Sequence, residues 1–138
     1  MDESQLFSNQ PGQLPEKEAR TLADSILQAE KQSLPVNIIF ADDTKLAELN
    51  QQYRYKEGPT DVLSFPADPD LETLGDIFIS IDTAKRQAQD YDATLDEEIL
   101  RLVCHGTLHL CGYDHIDPGD EKVMKGLEEK YLYEFRRQ

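Results

Sequence analysis

The sequence predicts a single α/β (α+β) domain over residues 1–138, a small mixed sheet of about four strands packed with about five helices. Three observations predict it. The length of 138 residues is one domain's worth of chain, enough to bury roughly two thirds of the unfolded surface without disulfide staples. Hydrophobic residues make up 38% of the chain, too many for a disordered polymer and too dispersed for a membrane protein. Helical and strand periodicities also alternate from end to end, with no internal repeat.

Taken in order, residues 5–8 read as a short first strand, closed by Gln10-Pro11-Gly12. Ala19, Leu22, Ala23, Ile26 and Leu27 recur at helical spacing over residues 15–31, with Pro15 suited to the first turn. Pro35 ends that pattern and opens the β-branched strand Val36-Asn37-Ile38-Ile39-Phe40. Asp42, Asp43 or Thr44 can cap a second helix carrying Leu46, Leu49 and Tyr53 on one face. Gly58-Pro59 closes it, and Asp61-Val62-Leu63-Ser64-Phe65 is a strand ended by Pro66. An acidic loop over residues 67–73 leads to the most strand-like segment, residues 75–81. Asp82 or Thr83 then caps a helix reaching Tyr91. Thr94-Leu95-Asp96-Glu97 matches the capping box and starts an apolar helix through Leu95, Ile99, Leu102, Val103 and Leu110. A last helix begins near Pro118 and carries Val123, Met124, Leu127, Tyr131 and Phe135.

Several classes drop out. No apolar run approaches the roughly 20 residues that cross a bilayer, and the acidic start Met1-Asp2-Glu3 lacks the basic region of a signal peptide. A cytoplasmic setting is therefore expected. On one helix, Cys104 and Cys111 would stand about 10 Å apart, beyond disulfide reach, so both are expected as core thiols. The 28 Asp and Glu against 14 Lys and Arg leave a formal charge of −14, which on its face disfavours a nucleic-acid partner.

The three histidines carry the chemistry. His105 and His109 lie four residues apart on the predicted helix, one turn apart on one face. Gly112 tolerates the left-handed conformation that ends a helix, so the chain can return His115 to the same point. Three neutral nitrogens with a fourth position left to water are the catalytic zinc arrangement, whereas structural sites close all four. The same spacing occurs in metzincin proteases, which place a general-base Glu directly after the first His. Here that position is Gly106, so peptide hydrolysis loses its proton acceptor. A glycine in a helix costs about 1 kcal/mol relative to Ala, which implies a close approach by substrate or by another part of the chain.

The segment His105-Gly106-Thr107-Leu108-His109-Leu110-Cys111-Gly112-Tyr113-Asp114-His115 resembles the signature of the YbeY family, bacterial metal-dependent endoribonucleases. That signature, His-Gly-x-x-His-Leu-x-Gly-Tyr-Asp-His, is matched at every position. Leu49-Asn50, Tyr53-Arg54 and Pro59-Thr60-Asp61-Val62-Leu63-Ser64-Phe65-Pro66 resemble the family's second block, and Leu74-Gly75-Asp76-Ile77 with Ile79-Ser80 its third. The resemblance implies a compact α/β fold, one Zn2+ held by His105, His109 and His115, and cleavage of single-stranded RNA. It further implies maturation of the 3′ end of small-subunit (16S) ribosomal RNA and a part in ribosome quality control. Its implied partners are ribosomal RNA in the small ribosomal subunit, a basic small-subunit ribosomal protein and an assembly GTPase. The family's functionally important arginine falls on Arg54, which joins the histidines as a catalytic candidate.

Other residues remain open at this level. Ser64 offers a hydroxyl near the site or is a plain strand serine. Asp114 either orients a ligand ring or caps the following turn. Tyr113 reads as a packing residue, and Asp61 and Asp76 have turn and capping roles as simpler alternatives to site carboxylates. Two other functions stand beside the nuclease: a zinc protease of metzincin-like spacing, and a non-catalytic ribosome-assembly factor with a structural metal. The charge is uneven, with no Lys or Arg between Glu57 and Ala84, while basic residues recur at Arg54, Lys56, Lys85, Arg86 and Arg101 and along the last helix. A local positive cleft beside the metal is therefore compatible with the negative total, and weak, salt-sensitive affinity for free RNA is expected.

Overall fold

The computed structural model of the chain describes residues 3–54, 58, 60–68, 70–113 and 118–137. Among them, four strands form one mixed sheet in the order β1-β2-β4-β3. The elements are β1 (Gln5–Ser8), α1 (Glu16–Ala29), β2 (Val36–Ala41), α2 (Asp43–Arg54), β3 (Val62–Pro66), β4 (Gly75–Ser80), α3 (Ile81–Asp90), α4 (Leu95–Leu110) and α5 (Pro118–Arg136). β1 and β4 run parallel to β2, while β3 pairs antiparallel with β4, Ser64 opposite Ile77 and Leu63 opposite Phe78.

Side-chain alternation along the strands sorts the core onto two faces. Val36, Ile38 and Phe40 of β2 and Ile77 and Ile79 of β4 join the main cluster with α1 and α4. Leu63 belongs to a smaller cluster with Leu46 and Leu49 of α2, against which Phe65 and Phe78 pack. α4 thus lies on one side of the sheet and α2 on the other, with the edge strand β3 between them.

The helix starts are mostly those the sequence predicts. Asp42 caps α2, its Oδ1 accepting from the Lys45 amide at 2.9 Å. The capping box of α4 is complete, with Thr94 N–H donating to Glu97 Oε1 at 2.9 Å and Glu97 N–H to Thr94 Oγ1 at 3.1 Å. The start of α3 differs. β4 runs into it without a loop, so the last strand residue, Ser80, is the cap, and its Oγ accepts from the Thr83 amide at 3.2 Å. The residues expected to cap are occupied elsewhere: Asp82 accepts from the Asp43 amide at 3.0 Å, and the Thr83 hydroxyl donates to Asp43 Oδ1 at 2.6 Å. Burial would raise the Asp43 pKa, but hydrogen bonds from Ser80, Thr83 and Arg86, with the Arg86 charge, outweigh it and hold the carboxyl below its ordinary value.

Two helix faces also depart from expectation. Tyr53 does not join Leu46 and Leu49 in the core but stands 61% exposed, its ring meeting the sheet only edge-on at Phe65 of β3. On α5, Met124, Tyr131 and Leu132 are buried while Val123 is exposed, a stripe rotated toward α4. Cys104 is buried and Cys111 half-buried, and both are free thiols. Burial pushes them up to about 12 and about 11 respectively, which keeps them protonated and inert at neutral pH. No described helix is long and apolar enough to cross a membrane.

Candidate active site

α4 builds the site because it is two-faced. Ile99, Leu102, Val103, Gly106 and Leu110 go to the core, and the same 3.6-residue period leaves His105 and His109 together on its flank. Gly106 sets how close that flank comes to the sheet. A Cβ there would lie 2.6 Å from Ile77 Cγ2 and 3.1 Å from Ser64 Oγ. The close approach implied by a helical glycine is therefore made by side chains of β3 and β4. The Ser64 hydroxyl closes the contact by donating to the Gly106 carbonyl at 3.2 Å.

This packing leaves a cleft of about 460 Å³ lined by Tyr53, Val62, Leu63, Ser64, Phe65, His105 and His109. It crosses the outer edge of β3, with the histidines on one wall and the end of α2 on the other. Pro66 lies on that edge strand, where a missing N–H costs no ladder bond. Behind the first histidine, His105 Nδ1 lies 3.0 Å from Glu128 Oε1 on α5. With Nδ1–H donating to that carboxylate, the ring is held in one orientation, with Nε2 as its candidate ligand nitrogen.

A second cleft of about 370 Å³ opens on the α5 side of His105, lined by Arg101, Met124, Lys125, Glu128 and Leu132 among others. Arg101 is committed there. It grips Glu98, which is only 3% exposed, through two bonds of 2.8 Å. The hydrogen bonds it donates to Glu98 are the main reason its pKa is raised, with burial opposing. Of the basic residues, Arg101 and Lys125 line this second cleft together with Glu121, Glu128 and Glu129, and no Lys or Arg is among the described residues lining the histidine cleft.

The remaining candidates sort as follows. His109 and His105 share the cleft, and Ser64 is at its floor. His115 and Asp114 lie outside the described residues, as does the side chain of Arg54, whose backbone ends α2 directly after Tyr53. Tyr113 is an anchor: its hydroxyl donates to Glu30 Oε1 at 2.7 Å, and the Tyr131 hydroxyl donates to the other oxygen. The segment leaving α4 is thereby tied to α1 and α5 two residues before His115. Asp61 and Asp76 take the simpler roles, accepting from the Val62 amide at 2.8 Å and from Asn37 Nδ2 at 3.0 Å.

Sequence reasoning missed Glu128 and misplaced Tyr53. Glu128 sits one turn after Met124 and three residues before Tyr131, so it is a carboxylate on the packing face of α5, and that position was the available signal. Replacing Glu128 with Ala is expected to weaken binding of a zinc-type ion roughly 10- to 100-fold, measured by competition with a chromophoric chelator. Unchanged metal affinity in a folded variant would reduce Glu128 to a helix-packing residue.

The chain matches the family model described as Endoribonuclease YbeY over residues 6–136. It is similar to the Endoribonuclease YbeY of Acholeplasma laidlawii, 45% identical over 112 residues that cover 80% of this chain and 82% of that protein. Similarity to the Endoribonuclease YbeY of Desulfitobacterium hafniense is 37% over 143 residues, covering 95% and 91% of the two chains. A solution structure from Thermotoga maritima shares the fold with a TM-score of 0.69 at 31% identity, covering 96% of this chain and 88% of that one.

Proposed function

Because the chain belongs to the YbeY family of endoribonucleases, we propose that it cleaves single-stranded RNA with a zinc-type ion held by His105, His109 and His115. We propose further that its substrate is the 3′ end of small-subunit ribosomal RNA, presented in the small ribosomal subunit, with a part in ribosome quality control. The observation that carries the reading is the pairing of two imidazoles one turn apart in one cleft, one of them backed by a carboxylate at 3.0 Å. A ligand histidine commonly donates its other ring N–H to such a group, so the donor set fits a borderline-soft divalent ion. Bound there, the ion would supply Lewis-acid polarisation of a phosphoryl oxygen or lower the pKa of a water.

The chain's own residues do the positioning. Glu128 fixes the His105 ring, and the Gly106 contact with Ser64 and Ile77 fixes the distance of α4 from β3. Arg54 would hold the scissile phosphate through its planar fork of donors. RNA carries an internal nucleophile, the 2′-OH, so the reaction tolerates the missing carboxylate after the first histidine. A peptide has no such group. Even a Cβ at position 106 would lie 2.6 Å from Ile77 Cγ2, so a carboxylate side chain there would have to displace the packing of α4 on β4.

The charge of −14 bears on delivery. Phosphate contacts alone would be weak at physiological salt, and a basic small-subunit ribosomal protein, together with an assembly GTPase, would bring the substrate to the cleft in the cytoplasm. The test is cleavage of a 3′-extended small-subunit RNA by the purified, zinc-loaded protein, free and within the subunit particle, with product ends mapped. Ends that coincide with those missing in depleted cells would support the assignment. Binding without cleavage in both formats would leave a non-catalytic assembly factor, and digestion of casein would point to a protease.

A further inference from the structure

We propose that Tyr53 is a nucleobase-stacking residue: an unpaired base next to the scissile phosphate lies on its ring, at the wall of the cleft opposite His105 and His109. The inference rests on the RNA-cleavage reading and names how that site selects single strands. Tyr53 is 61% exposed, an unusual position for an aromatic ring on the wall of a cleft whose other residues are partly or wholly buried. It is also braced. Its centroid lies 5.3 Å from that of Phe65, edge-on at 63°, and Phe65 in turn meets Phe78 at 5.8 Å and 76°. Such edge-to-face contacts hold a ring in place without covering it. A large ring fixed on one side and open on the other is what a base stacks on.

The chemistry of the cleft narrows the ligand. Its described lining residues include Tyr53, Val62, Leu63 and Phe65, so they offer an incoming chain aromatic and aliphatic surface. Single-stranded nucleic acid is bound in this way, because every base presents a π-face and stacking tolerates any sequence. A paired base is already stacked on both faces and is not available to Tyr53. Discrimination against duplex then follows from the ring. Arg54 comes next in the chain, so the residue taken to bind phosphate and the residue that takes the base are neighbours, as phosphate and base are in a nucleotide.

The test is a double-mutant cycle between protein and substrate, using zinc-loaded protein and short single-stranded RNA oligomers around one mapped cleavage site. Tyr53→Ala is expected to weaken binding roughly 5- to 150-fold, with zinc content unchanged and the thermal midpoint lowered by no more than a few degrees, the loss of its edge contact with Phe65. Tyr53→Phe and Tyr53→Trp are expected to retain binding. In wild type, an abasic nucleotide at one position beside the cleaved bond should reproduce the loss, and in Tyr53→Ala the same abasic nucleotide should cost nothing more. Additive losses at every position, unchanged binding by Tyr53→Ala, or equal loss in Tyr53→Phe would each overturn the proposal. Wild-type protein that neither binds nor cuts the oligomers would instead fail the RNA reading itself, whatever the Tyr53 variants do.

Discussion

The His109→Ala protein is expected to fold, to purify without its divalent ion, and to lose RNA cleavage by more than a hundredfold. The size follows from the several kcal/mol of charge stabilisation that a Lewis acid contributes at a phosphoryl group. Folding should survive, because His109 is half-buried on the last turn of α4 and Ala is the better helix former. Chelation of the wild-type protein should give the same loss, and added zinc should restore it. In the variant, zinc should restore nothing. The measurements are metal per chain by mass spectrometry and cleavage of a labelled single-stranded RNA. Metal-free protein cutting at the wild-type rate would remove the ion from the reaction.

Gly75→Ala is expected to be the most damaging single methyl in the described fold. Its Cβ would lie 2.4 Å from the carbonyl oxygen of Phe65 and 2.9 Å from Leu110 Cδ2. The first obstacle is backbone of the paired strand, since Gly75 sits opposite Pro66 in the ladder, and it cannot rotate away. Overpacking typically costs about 1–3 kcal/mol, and here we expect the upper end, a fall in thermal midpoint of roughly 10 °C. Gly126→Ala is the control of opposite sign. It lies inside α5 with nothing within 4 Å of the added carbon, so it should gain about 1 kcal/mol from helix propensity. Chemical denaturation of both variants checks the pair, and equal stability would show that the β3–β4 ladder yields where the geometry says it is rigid.

Much of this architecture is legible in the chain because local signals and tertiary need coincide. Thr94 and Glu97 announce α4 by a box that forms as written, and the spacing of His105 and His109 puts both rings in one cleft. Reading fails where a residue's role depends on what lies across space. Ser80 caps α3 because β4 ends without a loop, and no local pattern distinguishes that from a cap at Asp82. Tyr53 keeps the helical spacing of Leu46 and Leu49, yet it meets the sheet only through an edge contact with Phe65 and stays largely exposed. Glu128 is an ordinary acidic residue until α5 is laid against α4. The charge pattern correctly marks Arg101 as basic, but the buried Glu98 that occupies it is visible only in the folded chain.

α4 supplies the inner face of the main cluster and, half a turn away, the histidine wall of the cleft. Any substitution that rotated or lifted the helix to retune the site would also open the core at Gly106, Val103 and Leu110. That wall is therefore closed to gradual divergence, since stability would be lost before a new specificity was gained. The opposite wall is under no such constraint. It is the end of α2, where Gln51 and Gln52 are exposed and can be exchanged at little cost to the fold. Descendants of this scaffold that act on different RNAs should have kept α4, Tyr53 and Arg54 and diverged at the exposed Gln51 and Gln52 beside them.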